Sequence, residues 1–161
     1  MADNAELIHT FYEAFGRKDA EAMAACYAPD VSFSDPVFTD LHGEEVTGMW
    51  RMLTGRSTDL EVELAEHAAD GDAGTARWIA TYTFARTGRA VVNDVRASFR
   101  FRDGLIAEHR DEFDFWKWSR QALGPLGLTL GWTPILRNAV RRRAGGDLRE
   151  YLAESQVLGL D

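Results

Sequence analysis

An α+β domain, with short helices first and a strongly curved antiparallel sheet after them, is the fold class that this sequence predicts. Three features carry the expectation. Large apolar residues recur at helical spacing near the start, the apolar period falls to two from Leu60 onward, and Gly-containing turns divide that alternating stretch into four runs. With 161 residues, 45% of them hydrophobic and 27% charged, the chain suits one hydrophobic core better than two.

The first helix places Leu7, Ile8, Phe11, Tyr12 and Phe15 on one face, with Asp3 or Asn4 to cap it and Gly16 to end it. A second helix is predicted from Asp19 through Tyr27, ending around Pro29, because proline disfavours helix at the residue before it. Val31 to Asp35 alternates apolar and polar ahead of Pro36 and reads as a short strand, with residues 31, 33 and 35 on one face. A third helix is expected from Glu44 to Leu53, its acidic first turn complementing the helix dipole.

The four alternating runs from Leu60 to Trp116 turn at Asp70–Gly74, Thr87–Arg89 and Asp103–Gly104 and form an antiparallel meander. The second run sets Trp78, Ala80, Tyr82 and Phe84 against Arg77, Thr81 and Thr83. The third sets Asn93, Val95, Ala97, Phe99 and Phe101 against Asp94, Arg96, Ser98, Arg100 and Arg102. In the fourth, Leu105, Ala107, His109, Asp111, Phe113 and Phe115 share a face. The early helices must cover the apolar face of this sheet, and the covered space is where a pocket can form. Beyond Gly124 lies a helical extension, residues 125–161. It contains a Gly/Leu stretch to Trp132 that suits a lid or an interface, a helix from Thr133-Pro134 through Arg143 to Gly145-Gly146, and a last helix around Leu148 to Leu152.

A net charge of −8 is the wrong sign for binding nucleic acid or an anionic membrane through a general basic field. No apolar run is long enough to span a bilayer, and Met1 leads into a polar segment unlike a signal peptide, so a cytoplasmic location is expected. Lone Cys26 excludes an internal disulfide and, in its Ala-rich helix, reads as a small core residue. His9, His42, His67 and His109 lack metal-ligand spacing, no phosphate loop or dinucleotide fingerprint is present, and neither metal nor cofactor is expected. Arg137, Arg141, Arg142 and Arg143, near a helix C-terminus, read as solvated charge.

The candidate chemistry lies on the covered face. Asp111 and His109, two apart on a strand, project the same way, and Asn93 and Asp35 face the same interior. A carboxylate in aromatic surroundings is desolvated and becomes a better proton acceptor near neutral pH, and a histidine beside it can hold or relay the proton. The competing reading makes His109 and Asp111 a satisfied polar network that sets strand register, and Asp35 a turn carboxylate capping backbone amides before Pro36. Tyr12, Phe15, Trp50, Trp78, Tyr82, Phe99 and Phe113, with Asn93, would line a site for a small hydrophobic molecule, or else serve only as core. Tyr12 and Tyr82 stand apart because a buried hydroxyl needs a partner.

Two local patterns carry a resemblance. Phe11-Tyr12-Glu13-Ala14-Phe15, Lys18-Asp19, Tyr27-Ala28-Pro29-Asp30-Val31 and Ser34-Asp35-Pro36 form the first; Phe101-Arg102-Asp103-Gly104-Leu105-Ile106 leading into His109-Arg110-Asp111-Glu112-Phe113-Asp114 forms the second. Over roughly residues 4–124 the chain resembles the NTF2-like superfamily of cone-shaped domains, especially its SnoaL-like branch. The resemblance implies an NTF2-like cone that pairs as a homodimer and a cofactor-free acid–base activity such as epoxide hydrolysis, isomerisation, dehydration or cyclisation. The alternative is a binding module with no catalysis. By the same resemblance Asp35 falls where ketosteroid isomerases keep their general base, and Asp111 where epoxide-hydrolase-like members and polyketide cyclases place a catalytic carboxylate. The isomerase oxyanion-hole tyrosine corresponds to Phe11 and its aspartate partner to Ala97, so that clamp is absent.

Overall fold

Asp3 accepts the amide of Ala5 on its side chain and starts α1 (Asn4–Gly16), whose Ile8, Phe11, Tyr12, Ala14 and Phe15 are buried. The structure, a computed structural model, describes residues 3–157; Met1 and Ala2, part of the segment read as lacking a signal peptide, lie outside them. Asp19 caps α2 (Ala20–Ala24) through the amide of Ala22. This helix is shorter than predicted, because Tyr27 already belongs to β1 (Tyr27–Ser34). Pro29 does not forbid the strand: the ladder is irregular between Tyr27 and Ser32, so its missing N–H falls where pairing is interrupted.

A short β2 (Leu41–His42), which the periodicity does not signal, pairs antiparallel with β1 ahead of α3 (Glu44–Arg56). Then come β3 (Glu61–Asp70), β4 (Ala73–Phe84), β5 (Arg89–Arg102) and β6 (Leu105–Glu112), the four predicted runs. Their turns are tight because Gly71, Gly88 and the Asp103-Gly104 pair take positive φ. The sheet is curved and unclosed, ordered β2-β1-β6-β5-β4-β3. It is not wholly antiparallel as expected, since β1 runs parallel to β6, with Phe33 opposite His109 and Ser34 opposite Arg110.

Strand six stops at Glu112, short of the predicted Trp116. Asp114 turns its side chain onto the amide of Lys117 and starts α4 (Phe115–Leu123), so Phe115 leaves the sheet face and enters a helix. The Gly/Leu stretch becomes α5 (Pro125–Leu130), packed on α4. Instead of two tail helices there is one, α6 (Pro134–Val157). The Gly145-Gly146 pair costs it about 1 kcal/mol per residue against alanine, but packing on both sides carries the helix through. Ala144, Leu148, Tyr151 and Leu152 all join the core, and Gly48 in α3 makes the notch for Leu152, whose Cδ2 would lie 2.4 Å from a Cβ there.

Two clusters form the interior. The larger joins α1, α3, β1 and the concave face of β4–β6. The smaller gathers Val91, Phe115, Trp118 and Ala122, with Tyr82, Phe113 and Val140 against them, and closes the far end of the cone. Each large side chain fully removed from water contributes about 1.5–3 kcal/mol, so the aromatic filling is a main source of stability.

Candidate functional site

Alternation along β6 sends His109 and Asp111 inward, and both are almost wholly buried, with 2% and 3% of their surface exposed. His109 is enclosed by Phe11, Phe33, Trp50, Phe99 and Tyr27, the ring centroid of Phe99 lying 4.5 Å away. Both of its ring nitrogens are engaged. Trp50 Nε1 donates to the Tyr27 hydroxyl at 2.8 Å, the hydroxyl reaches His109 Nδ1 at 2.8 Å, and His109 Nε2 lies 2.9 Å from Asp111 Oδ1. Since Tyr27 already accepts from Trp50, its own proton goes to Nδ1, which assigns His109 as the neutral Nε2–H tautomer donating to Asp111.

Trp78 Nε1 adds a longer contact of 3.5 Å to the same Asp111 oxygen. Asp111 Oδ2 receives no donor among the described residues. On α1, Tyr12 is wedged against Trp78 and Phe99. Its hydroxyl is buried and has no hydrogen-bond partner among the described residues. Burial, reinforced by the charge of Asp111, holds the Tyr12 pKa well above its usual value, so the group remains a proton donor.

Asp35 sits one residue beyond β1. Its Oδ1 accepts the amides of Val37 at 2.7 Å and Phe38 at 2.6 Å, the turn-capping arrangement offered as the competing reading. The parallel register, Phe33 to His109 and Ser34 to Arg110, carried one step further brings Asp35 level with Asp111. Burial of the carboxyl raises its pKa to about 7 against the opposing pull of the Phe38 amide, and the charge of Asp111 adds to the rise. Across from them the Tyr82 hydroxyl accepts from Trp118 Nε1 at 2.8 Å. Burial raises its pKa too, with Asp35 contributing.

The remaining predicted residues divide. Phe15 and Trp50 pack on each other at 4.9 Å and belong to the core around His109, as does Phe99. The apolar hollow expected between helices and sheet is filled there by these rings. Half-buried Asn93 and Phe113, on the same face as Asp111, instead border a groove of about 480 Å³ at the junction of β5, β6 and α4. Asp94, Arg96, Glu112, Asp114 and Lys117 complete the lining of that groove, and Asp111 is not part of it. The sequence does not mark Tyr27 and Trp118 as site residues, since it predicts a helix through Tyr27, which instead opens β1. Its place two and four residues before Pro29 and Val31 was the available signal, since 27, 31 and 33 share one strand face. The stretch Gly124–Trp132, expected as a lid or an interface, packs on α4, and Arg141 of α6 donates its Nε to the Pro36 carbonyl at 2.9 Å.

Among the described residues no group of three or more His, Cys, Asp or Glu side chains could hold a metal, and no helix is long and apolar enough to cross a membrane. Cys26 is buried, and burial raises its thiol pKa, which suits packing better than nucleophilic attack.

Solved structures share this architecture. An NTF2-like protein of unknown function from Burkholderia pseudomallei superposes with a TM-score of 0.67 at 24% identity, over 75% of this chain and 98% of that one. A candidate polyketide cyclase from Streptomyces antibioticus gives 0.64 at 24%, over 74% and 98%, and an LEH-like epoxide hydrolase from M. tuberculosis gives 0.63 at 22%, over 78% and 94%. At these identities the likeness establishes the fold. No curated protein matches the chain in sequence. The SnoaL-like domain family matches residues 8–109, from the middle of α1 to the buried histidine of β6, and the chain belongs to that family.

Proposed function

We propose that this protein is a cofactor-independent acid–base enzyme acting on a small apolar molecule, with Asp111 as the proton acceptor. One observation carries the reading. A fully buried hydroxyl donor, Tyr12, and the donor-free Oδ2 of Asp111 face the same interior without satisfying each other. An unmet buried polar group costs about 1–3 kcal/mol, and a ligand oxygen held by Tyr12 would relieve that cost while offering a proton to Asp111.

In this mechanism Tyr12 donates to a carbonyl, hydroxyl or epoxide oxygen and stabilises the charge that grows there. Asp111 takes a proton from water, for hydrolysis, or from carbon beside a carbonyl, for isomerisation, dehydration or cyclisation. His109, sealed behind aromatic rings with both nitrogens engaged, acts as a positioning residue that holds Oδ1 and leaves Oδ2 as the basic atom. Asp35, raised to about 7, gives its proton to the departing oxygen in hydrolysis or dehydration, and in isomerisation or cyclisation Asp111 hands the proton it took back to carbon or to the new hydroxyl. Asn93 and Phe113 guide the ligand from the groove. Trp78 and Tyr82 shape the inner wall, and Phe15, Trp50 and Phe99 support it.

The test is Asp111→Asn, assayed with small epoxides, β,γ-unsaturated ketones and linear polyketides and read by mass spectrometry of the products. The amide oxygen still accepts from His109 and Trp78, so the fold is kept while the base is lost. Turnover should fall at least about a hundredfold with the melting temperature nearly unchanged. Unaltered turnover would remove Asp111 from the mechanism. A second reading is a non-catalytic binding module, in which the unpartnered Tyr12 hydroxyl holds a ligand oxygen without turnover. It predicts thermal stabilisation by such molecules without product. The homodimer is proposed through the outer sheet face, where Arg77 and Asp94 are paired at 2.8 Å, with sedimentation velocity as its check.

A further inference from the structure

The tail packs with its size order inverted. Gly124, Gly127 and Gly131 are buried on α5 and its ends, while Leu126, Leu128, Leu130 and Trp132 point away from the protein. The glycines are required. A Cβ at Gly127 would lie 1.9 Å from the Ser119 carbonyl oxygen, and one at Gly131 would lie 2.1 Å from Ser119 Oγ. The backbone of α5 is thus pressed onto α4 by its bare face. Leu128 stays 55% exposed, Trp132 72% and, at the start of α6, Ile135 78%. Globular proteins seldom leave so many large apolar side chains, five within ten residues, in water without a use for them.

Charge says what covers it. From α4 to the last residue, 115–161, the chain holds seven Lys and Arg against four Asp and Glu, and residues 1–114 hold eleven against twenty-two. The overall charge of −8 therefore conceals a basic extension on an acidic body. Arg120 borders the apolar group. Trp116 donates its Nε1 to the Leu128 carbonyl, and Arg120 lies over the Trp116 ring at 4.2 Å with its Nε buried and unpartnered. Lys117 is exposed on the same helix, and Arg142 continues the Ile135 face of α6 two turns on. None of Lys117, Arg120, Arg137 and Arg142 makes an ion pair among the described residues. A second copy placed patch to patch would bring these cations together. An anionic lipid surface complements both the basic rim and the apolar centre.

We propose that the face formed by α5, Trp132 and Ile135, rimmed by Lys117, Arg120 and Arg142, seats the protein on an anionic bilayer surface, with the leucines, Trp132 and Ile135 entering the headgroup boundary. No span is involved. The probe is the full chain sedimented with phosphatidylcholine vesicles, alone or containing about 30% phosphatidylserine, at about 0.1 M and about 0.5 M salt. Binding is expected on the anionic vesicles at low salt and should weaken sharply at high salt. Trp132→Ser with Ile135→Ser, and separately Lys117→Glu with Arg142→Glu, should each lower the partition at least about tenfold with an unchanged circular dichroism spectrum. Equal binding to both vesicle types, or no binding to either, overturns the proposal. So does full vesicle binding by the Trp132/Ile135 variant. A dimer that the same variant converts to monomer, without vesicle binding, overturns it in favour of a second copy.

Discussion

Replacing Asp35 with asparagine should stabilise the protein, and only above a definite pH. Burial first, and the charge of Asp111 to a lesser degree, raise the folded-state pKa of Asp35 from 3.8 to about 7. The folded protein therefore keeps this proton up to about pH 7, whereas the unfolded chain loses it near 3.8. Between those values the folded state binds more protons, so the contribution of Asp35 to stability declines as pH rises through the window and is level above it. The full shift corresponds to about 4 kcal/mol. Asparagine removes the titration and keeps an oxygen for the Val37 and Phe38 amides, but its NH2 must also leave water. A net gain of about 1–3 kcal/mol at pH 8 is expected, which for a chain of this size raises Tm by about 3–10 °C. Thermal unfolding of both proteins at pH 4, 6 and 8 is the assay, and other titrating groups cancel in the difference. The advantage of Asp35→Asn should be near zero at pH 4 and complete at pH 8. An advantage independent of pH, or a wild type that is the more stable at pH 8, would show that the carboxyl is solvated and ionised in the fold.

Tyr27→Phe should cost about 2–4 kcal/mol in urea unfolding, because Trp50 Nε1 and His109 Nδ1 both lose their partner in the interior; a loss below about 0.5 kcal/mol would mean that the relay is slack. Tyr12→Phe is expected to act in the opposite direction. Deleting a hydroxyl with no partner should leave the ligand-free protein as stable or up to about 2 kcal/mol more so while weakening ligand binding, and a destabilised variant would reveal a partner for it. Gly127→Ala forces a Cβ into the Ser119 carbonyl and should lift α5 from α4, seen as lost hydrogen-exchange protection over residues 125–131; retained protection would refute the close docking.

Much of this was legible in the chain, and the reason is period. Alternation placed His109, Asp111, Asn93 and Phe113 on one face of the sheet without coordinates, because successive side chains on a strand must oppose. Cap residues likewise announced α1 at Asp3 and α2 at Asp19. Tyr27 escaped because an Ala-rich run ahead of Pro29 outweighs a short strand in propensity, and pairing with β6 reversed that preference. The tail helix escaped for a related reason: local cost at Gly145-Gly146 argues for a break, and the packing of Leu148 and Leu152 on distant α3 and the core overrides it.

Residue order by itself therefore determined which side chains share a face, since that depends only on the geometry of a helix or strand. Only the tertiary structure decided which faces meet. The parallel entry of β1 beside β6 sets Asp35 level with Asp111, and Tyr27 and Trp50, far apart in sequence, join His109 in one hydrogen-bonded line. The docking of α5 by its glycines turns its leucines outward, although their composition alone suggests core. Such outcomes follow from long-range packing, whose energy no local window of sequence contains.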